Sequence, residues 1–206
     1  MTNSDILPKK ETDLPPLFIY LHGFNSKGDP STQKMKELSK LGETITVDYN
    51  SFSNYDTIEA HLSEQILQIT LSRKNHFTIL VGTSLGGYWA AVIGKKLDIP
   101  AVIINPAIQP QQTLKKYIGI KLENFKDGQP NTLSSDVPSS YPDAPKVGKY
   151  LILLDLGDDV LDPTKSKSWF THNPVISFEG GSHPFDHMKE ALPEISKFVS
   201  SVVKKD

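Results

Sequence analysis

"LVGTSLGGYWAAVIG", residues Leu80 to Gly94, joins the end of an apolar run to the start of an apolar-periodic helix through a serine flanked by glycines. Gly82-Thr83-Ser84-Leu85-Gly86 fits G-x-S-x-G in the strand-to-helix setting of a nucleophile elbow. The need for small residues is physical. A serine on a tight, strained turn brings the residues two positions away against the adjoining strand and helix, so small side chains are wanted at both places. Gly87 lets the helix start press close to the sheet, and the helix N-terminus adds N–H groups that favour developing negative charge. A phosphate-cradling loop would need G-x-x-x-x-G-K or G-x-G-x-x-G, and neither spacing occurs.

Outward from this turn the chain alternates short apolar runs with helical patterns, as in a mostly parallel sheet covered on both faces. Strands are expected at Leu17–Leu21, Thr44–Val47, Phe77–Val81, Ala101–Asn105, Tyr150–Leu156 and Val175–Phe178. Helices are expected at about Ser31–Leu41, Thr57–Arg73, Ser84–Leu97, Pro163–Thr171 and Pro184–Val203. The alternation predicts a compact α/β fold with about six strands, mostly parallel, and helices on both faces. Residues 17–206 read as one domain, and residues 1–16, rich in acids and prolines, as a disordered arm.

One connection breaks the rhythm. Residues 106–149 offer a single helix near Gln111–Ile118, followed by a polar stretch rich in proline and serine. It leaves the sheet at the carboxyl end of an expected strand, where open α/β sheets bind ligands. Long irregular excursions at such a place serve as lids or binding loops, and this one reads as a lid.

A serine hydroxyl is a weak nucleophile until a positioned base takes its proton and a third group orients that base. In this fold the order along the chain is Ser, then Asp or Glu, then His, at the carboxyl ends of strands. Of six histidines, His61 falls in a helix, His76 and His172 precede strands, and His22 comes before the serine. His183, after the last strand in "EGGSHPF", is the expected base, with His187 the runner-up. In "DLGDDVLDP" four acids compete. Asp155 sits inside the apolar run, and Asp162 before Pro163 reads as a helix N-cap. Asp158 is the expected acid and Asp159 the alternate. The oxyanion hole needs one N–H from the residue after the nucleophile and one from the loop after an early strand, which points to Leu85 and Phe24. His22, Asn25 and Tyr88 are candidate substrate-binding residues, with His22 also suited to a structural hydrogen bond. Ser26, Trp89, Tyr117, Phe125 and Tyr141 are further candidates to line a pocket.

Composition narrows the chemistry. Lys plus Arg is 22 against 24 for Asp plus Glu, with no long basic run, so no nucleic acid or anionic membrane partner is expected. There is no cysteine, which excludes a thiol nucleophile, disulfides and cysteine-ligated zinc. No H-E-x-x-H occurs, and Pro184 interrupts the i,i+4 spacing of His183 and His187, so neither metal nor cofactor is expected. No apolar stretch approaches the ~20 residues that span a bilayer, and the N-terminus lacks a signal-peptide core. A cytoplasmic location is the expectation.

"YLHGFNS", "VGTSLGGYWA", "INPAIQP", "GDDVLD" and "GGSHPF", in this order and spacing, resemble the YqiA/YcfP-type family of small bacterial α/β-hydrolases, described as esterases. The resemblance runs through most of the chain from Leu17. It implies esterase or thioesterase activity on small-molecule acyl substrates and carries over Ser84, Asp158 and His183 by position. A fold used only for binding would show a broken set of these three residues, and none is missing.

Overall fold

The computed structural model describes residues 14–123 and 129–203, so the expectations for Phe125 and for most of the N-terminal arm lie outside the described residues. All six expected strands are present: β1 (Leu17–Leu21), β2 (Glu43–Val47), β3 (Thr78–Thr83), β4 (Ala101–Ile104), and, later in the chain, Tyr150–Asp155 and Val175–Phe178. The excursion between β4 and Tyr150 contributes a small separate hairpin, β5 (Lys121–Glu123) with β6 (Pro130–Thr132). The last two central strands are therefore β7 and β8. The central sheet runs β2-β1-β3-β4-β7-β8 and every neighbouring pair is parallel. β3, β4 and β7 are buried along their whole length, which explains why they read as unbroken apolar runs.

Helices cover both faces. α2 (Tyr55–Ser72) and α3 (Leu85–Leu97) pack on one side, in a core with Leu17, Ile19, Leu80, Ile103 and Ile152. On the other side Leu38 of α1 (Gln33–Leu38) and Met188, Ala191, Ile195 and Phe198 of α7 (Met188–Val203) meet Phe18, Val81, Val102 and Leu153. The buried set of α7 recurs at helical spacing, so one stripe of that helix faces the sheet. Caps fix the helix starts: Asn54 accepts from the Thr57 amide at 3.0 Å before α2. Asp162, as expected, accepts from the Thr164 amide at 2.9 Å and opens α6 (Pro163–Trp169). No helix among the described residues is long and apolar enough to cross a membrane.

Two expectations change in detail. α7 starts at Met188 rather than Pro184, because Phe185 has φ +73° and the preceding loop wraps around a buried carboxylate instead of continuing into the helix. The helix expected at Gln111–Ile118 splits into α4 (Pro110–Thr113) and a 3₁₀ turn at Lys115–Tyr117. The rest of the excursion carries α5 (Asp136–Ser139) and is anchored in the α2–α3 core by Leu133, Val137, Tyr141 and Ala144. Tyr141 packs against Tyr55, Tyr88 and Trp89. The β5–β6 hairpin gives no period-two apolar signal, since only its central residues are even partly buried.

The β3–α3 turn sets the tightest limit. A Cβ at Gly82 would overlap the Gly86 carbonyl, and one at Gly86 would overlap the carbonyl oxygens of Leu21 and His22. Helix α3 therefore presses on the end of β1 only because residue 86 lacks a side chain. Gly86→Ala is expected to lower stability by about 3 kcal/mol or more, since the obstruction is backbone and cannot swing aside. Urea unfolding followed by circular dichroism checks it; a loss below about 0.5 kcal/mol would contradict this packing.

Candidate active site

Ser84 stands between β3 and α3 with φ +59° and ψ −121°, a conformation costly for any side-chain-bearing residue. Neighbouring backbone holds it there. The Ser84 amide donates to the Ile104 carbonyl at 3.0 Å, and the Ala107 amide donates to the Ser84 carbonyl at 3.1 Å. The turn lifts the side chain off the sheet edge beside the loop after β1: a Cβ at Gly23 would lie 3.5 Å from Ser84 Cβ and 3.9 Å from Ser84 Oγ. Phe24 follows directly. Among the described residues neither the Phe24 amide nor the Leu85 amide donates to a backbone carbonyl. The Leu85 N–H belongs to the first turn of α3, whose donors have no intrahelical acceptor.

His183 lies on the β8–α7 loop and Asp158 on the loop after β7. The His183 Nδ1 is 2.8 Å from Asp158 Oδ2 and 3.0 Å from Oδ1. The Asp158 side chain is 2% exposed, and its Oδ1 also accepts from the Val160 and Leu161 amides, each at 2.9 Å. A carboxylate so placed accepts a hydrogen bond from Nδ1–H, the tautomer that turns the Nε2 lone pair outward. Asp159, one residue on, is exposed. Ser84 and His183 line one cavity of about 600 Å³, although no Ser84–His183 hydrogen bond is formed among the described residues. Such bonds are commonly loose before substrate binds.

The loop that carries His183 is held from beneath by two residues that sequence reasoning did not assign to the site. Asp155, the last residue of β7 and fully buried, accepts from the Ser182 amide at 3.2 Å, the Asp186 amide at 2.7 Å and His187 Nδ1 at 2.7 Å. Asn105, just past β4, donates from Nδ2 to the carbonyls of Ser182 and His183, each at 3.1 Å, and accepts the Asp155 amide at 2.9 Å. Gly181 closes the arrangement with φ +74°, and a Cβ there would overlap the Asp155 carboxylate. The signal in the sequence was a charged residue ending an apolar run: a buried carboxylate must find donors.

His187, the runner-up, gives its Nδ1 to Asp155 and stacks on Phe178, with ring centroids 5.2 Å apart, and it does not line the cavity. Three expected substrate-binding residues are likewise absent from its lining. His22 is 1% exposed; its Nδ1 lies 2.8 Å from the Gly23 carbonyl, its Nε2 takes the Tyr49 amide at 3.3 Å, and its ring stacks on Tyr49. Asn25 has φ +47°, and its backbone N–H donates to Ser51 Oγ at 2.9 Å. Tyr88 and Trp89 lie fully buried in the aromatic cluster on α3, with Tyr88 donating to the Pro142 carbonyl at 3.1 Å. Ser26 and Tyr117 do line the cavity; Tyr141 does not.

The remaining lining is divided by chemistry. Phe24, Ala107, Leu114, Tyr117, Val160 and Leu161 are apolar, while Tyr20, Lys34, Thr83 and Asp186 form a polar side. Lys34 Nζ donates to Thr83 Oγ1 at 2.8 Å, and Tyr20 donates to the same oxygen at 3.2 Å. Burial pushes the Lys34 amine down to about 8, with Asp155 and Asp186 acting in the opposite direction, and burial raises the Tyr20 hydroxyl. Among the described residues no group of three His, Cys, Asp or Glu side chains is placed to hold a metal ion.

Against known proteins, the model of an uncharacterised protein family, UPF0227, matches residues 17–200. The UPF0227 protein VP0969 of Vibrio parahaemolyticus is 26% identical over 188 residues, covering 88% of this chain and 98% of that protein. The UPF0227 protein YcfP of Escherichia coli is 24% identical over 183 residues with the same shares, in line with the resemblance carried by the five motifs. Among solved structures, Est1E from Butyrivibrio proteoclasticus has a TM-score of 0.68 at 16% identity, covering 95% of this chain and 91% of that one. A monoacylglycerol lipase from Paleococcus ferrophilus has a TM-score of 0.64 at 14% identity, covering 95% and 96%. At such identities these neighbours share the α/β-hydrolase fold.

Asp155→Asn keeps the volume but replaces one acceptor oxygen with a donor facing donors. It is expected to cost about 2–4 kcal/mol of stability. Chemical denaturation at neutral pH measures this, and a change under about 0.5 kcal/mol would contradict the role of Asp155 beneath the His183 loop.

Proposed function

Because this chain belongs to the uncharacterised family UPF0227, its function has to be argued from the site, and we propose that it is a serine hydrolase that cleaves small acyl esters. The observation that carries this reading is the meeting of a strained, positive-φ Ser84 with an Asp158-paired His183 in one cavity. A serine in an ordinary turn has no need of that backbone, and a structural histidine has no need to share a cavity with it.

In the proposed reaction His183 Nε2 takes the Ser84 proton as Oγ attacks the acyl carbonyl. Negative charge gathers on the carbonyl oxygen and is met by the Leu85 and Phe24 amides, which need no reorganisation to receive it. The intermediate collapses, the acyl C–O bond breaks, and His183 returns the proton to the departing alcohol. Water then attacks the acyl-enzyme with His183 again as base, releasing the acid and restoring the Ser84 hydroxyl. Asp158 holds the ring in the Nδ1–H form and stabilises the imidazolium formed at each step. Neither a metal nor a cofactor enters this scheme.

The cavity is of a size that takes a small molecule, and its apolar wall suits an acyl chain. Ala107, Leu114 and Tyr117 of the excursion form part of that wall, with Thr113 and Lys116 also in the lining, so this part of the excursion acts as a cap over the acyl side. The same nucleophile and amides would act on a thioester; the preference for oxygen esters rests on the monoacylglycerol lipase among the structural neighbours.

Hydrolysis of p-nitrophenyl butyrate tests the assignment. Ser84→Ala and Asp158→Asn are each expected to lower kcat by about 10⁴-fold with the fold intact. Asp159→Asn, at an exposed carboxylate without contact to His183, is expected to change kcat by less than about threefold. Ester turnover that survives Ser84→Ala would refute the reading.

A further inference from the structure

The two walls of the cavity come from opposite faces of the sheet. Phe24, Leu114 and Tyr117 belong to the α2–α3 side. Tyr20 packs on the α1–α7 side, with Phe185, and Thr83 points the same way as Val81, two residues before it on β3. Ser84 stands at the sheet edge between them. An ester bound across this edge has room for its acyl chain on the apolar side, which directs the alcohol portion toward the polar side.

Lys34 is the centre of that polar side. It lies on α1 and is half-buried, yet among the described residues it forms no ion pair. Other lysines of this chain do pair: Lys40 with Glu37 at 2.6 Å, Lys149 with Asp98 at 3.2 Å and Lys197 with Glu194 at 2.7 Å. The acids that act on Lys34 are otherwise engaged or exposed. Asp155 accepts from the Ser182 and Asp186 amides and from His187, while Asp186, exposed at the polar side of the cavity, and Asp29, also in its lining, form no ion pair with Lys34 among the described residues. Among the described residues the ammonium donates one hydrogen bond, to Thr83 Oγ1, which also receives Tyr20, and it lies 5.9 Å from the centroid of the Tyr20 ring. Lys34, Thr83 and Ser84 all line the one cavity, so the ammonium and the reacting oxygen face the same space. Asp155 and Asp186 act on the ammonium from beyond ion-pair distance, so a partly buried cation with no carboxylate in contact among the described residues still gains from an anion that comes into contact with it.

We propose that Lys34 recognises an anionic group, a carboxylate or phosphate, on the alcohol portion of the ester, so that the natural substrates are acyl esters of an acidic alcohol. This rests on the assignment of Ser84 as nucleophile. Burial lowers the proton affinity of the amine against the pull of Asp155 and Asp186 and still leaves it mostly charged at neutral pH. Lys27 and Lys116 also line the cavity, but both are exposed and their charge is screened by water.

The test compares kcat/KM for three butyryl esters of matched shape: those of meta-hydroxybenzamide, of meta-hydroxybenzoate and of meta-hydroxyphenyl phosphate. Wild type is expected to favour at least one anionic ester over the neutral amide by about tenfold, the equivalent of about 1.4 kcal/mol. Which anion is preferred distinguishes carboxylate from phosphate. Lys34→Met and Lys34→Gln are expected to bring that ratio to about one, because each variant is its own reference whatever its absolute rate. A wild-type ratio near one overturns the proposal, as does a ratio that persists in both variants or one that is lost instead in Lys27→Met or Lys116→Met. If the ratio is near one while turnover of the neutral ester vanishes in Ser84→Ala, the nucleophile stands and Lys34 alone is wrong. If wild type cleaves none of the three, the hydrolase reading fails and takes this proposal with it.

Discussion

The close approach of β3, α3 and the end of β1 at Gly82 and Gly86 governs the rest of the molecule. The Gly86 carbonyl occupies the place of a Cβ on residue 82, and the Leu21 and His22 carbonyls occupy that of a Cβ on residue 86. With both positions closed to side chains, the chain can leave the strand and enter the helix in a single tight turn, and Ser84 takes the positive-φ backbone that this turn requires. A strain of order 1–3 kcal/mol is tolerable because bonds from Ile104 and Ala107 over-determine the turn. The same approach places the loop after β1 against the serine, so backbone N–H groups and the hydroxyl share one edge of the sheet.

Two carboxylates three positions apart then divide the support of His183. Asp155 faces inward and ties the loop backbone, while Asp158 reaches past the strand end to the imidazole. Asn105 reinforces the first of these, accepting the Asp155 backbone N–H and donating to the carbonyls of Ser182 and His183. The histidine ring is thus held through its side chain and through its backbone, by residues at the ends of β4 and β7, which are paired in the sheet. Positioning of this kind on rigid strand ends limits ring motion more than a loop alone would.

The legible and illegible parts of this chain differ by the range of the interactions involved. Central strands such as β3 and β7 are buried on both faces, so their apolar runs announced them, and the glycines around Ser84 announced the turn. Asp158 could be chosen over Asp159 because it is the first acid beyond the strand, and the short distance to His183 falls on that residue. Features made by contacts between distant segments were not readable. Lys34 meets Thr83 across 49 residues, and a lysine in an amphipathic helix looks solvated until the fold brings the helix over the sheet edge. His187 and Asp155 meet across 32 residues, and that contact delays the start of α7. His22 and Tyr88 were drawn toward the site by their neighbours in sequence, whereas burial against Tyr49 and Trp89 turns them into the core.

All of the proposed chemistry requires that Ser84 be activated by its surroundings. Intact-mass analysis after treatment with a fluorophosphonate, on wild type and Ser84→Ala side by side, tests this without knowledge of the substrate. One adduct on folded wild type and none on the variant is the expected result. An unlabelled wild type, or a variant that labels equally, would contradict it.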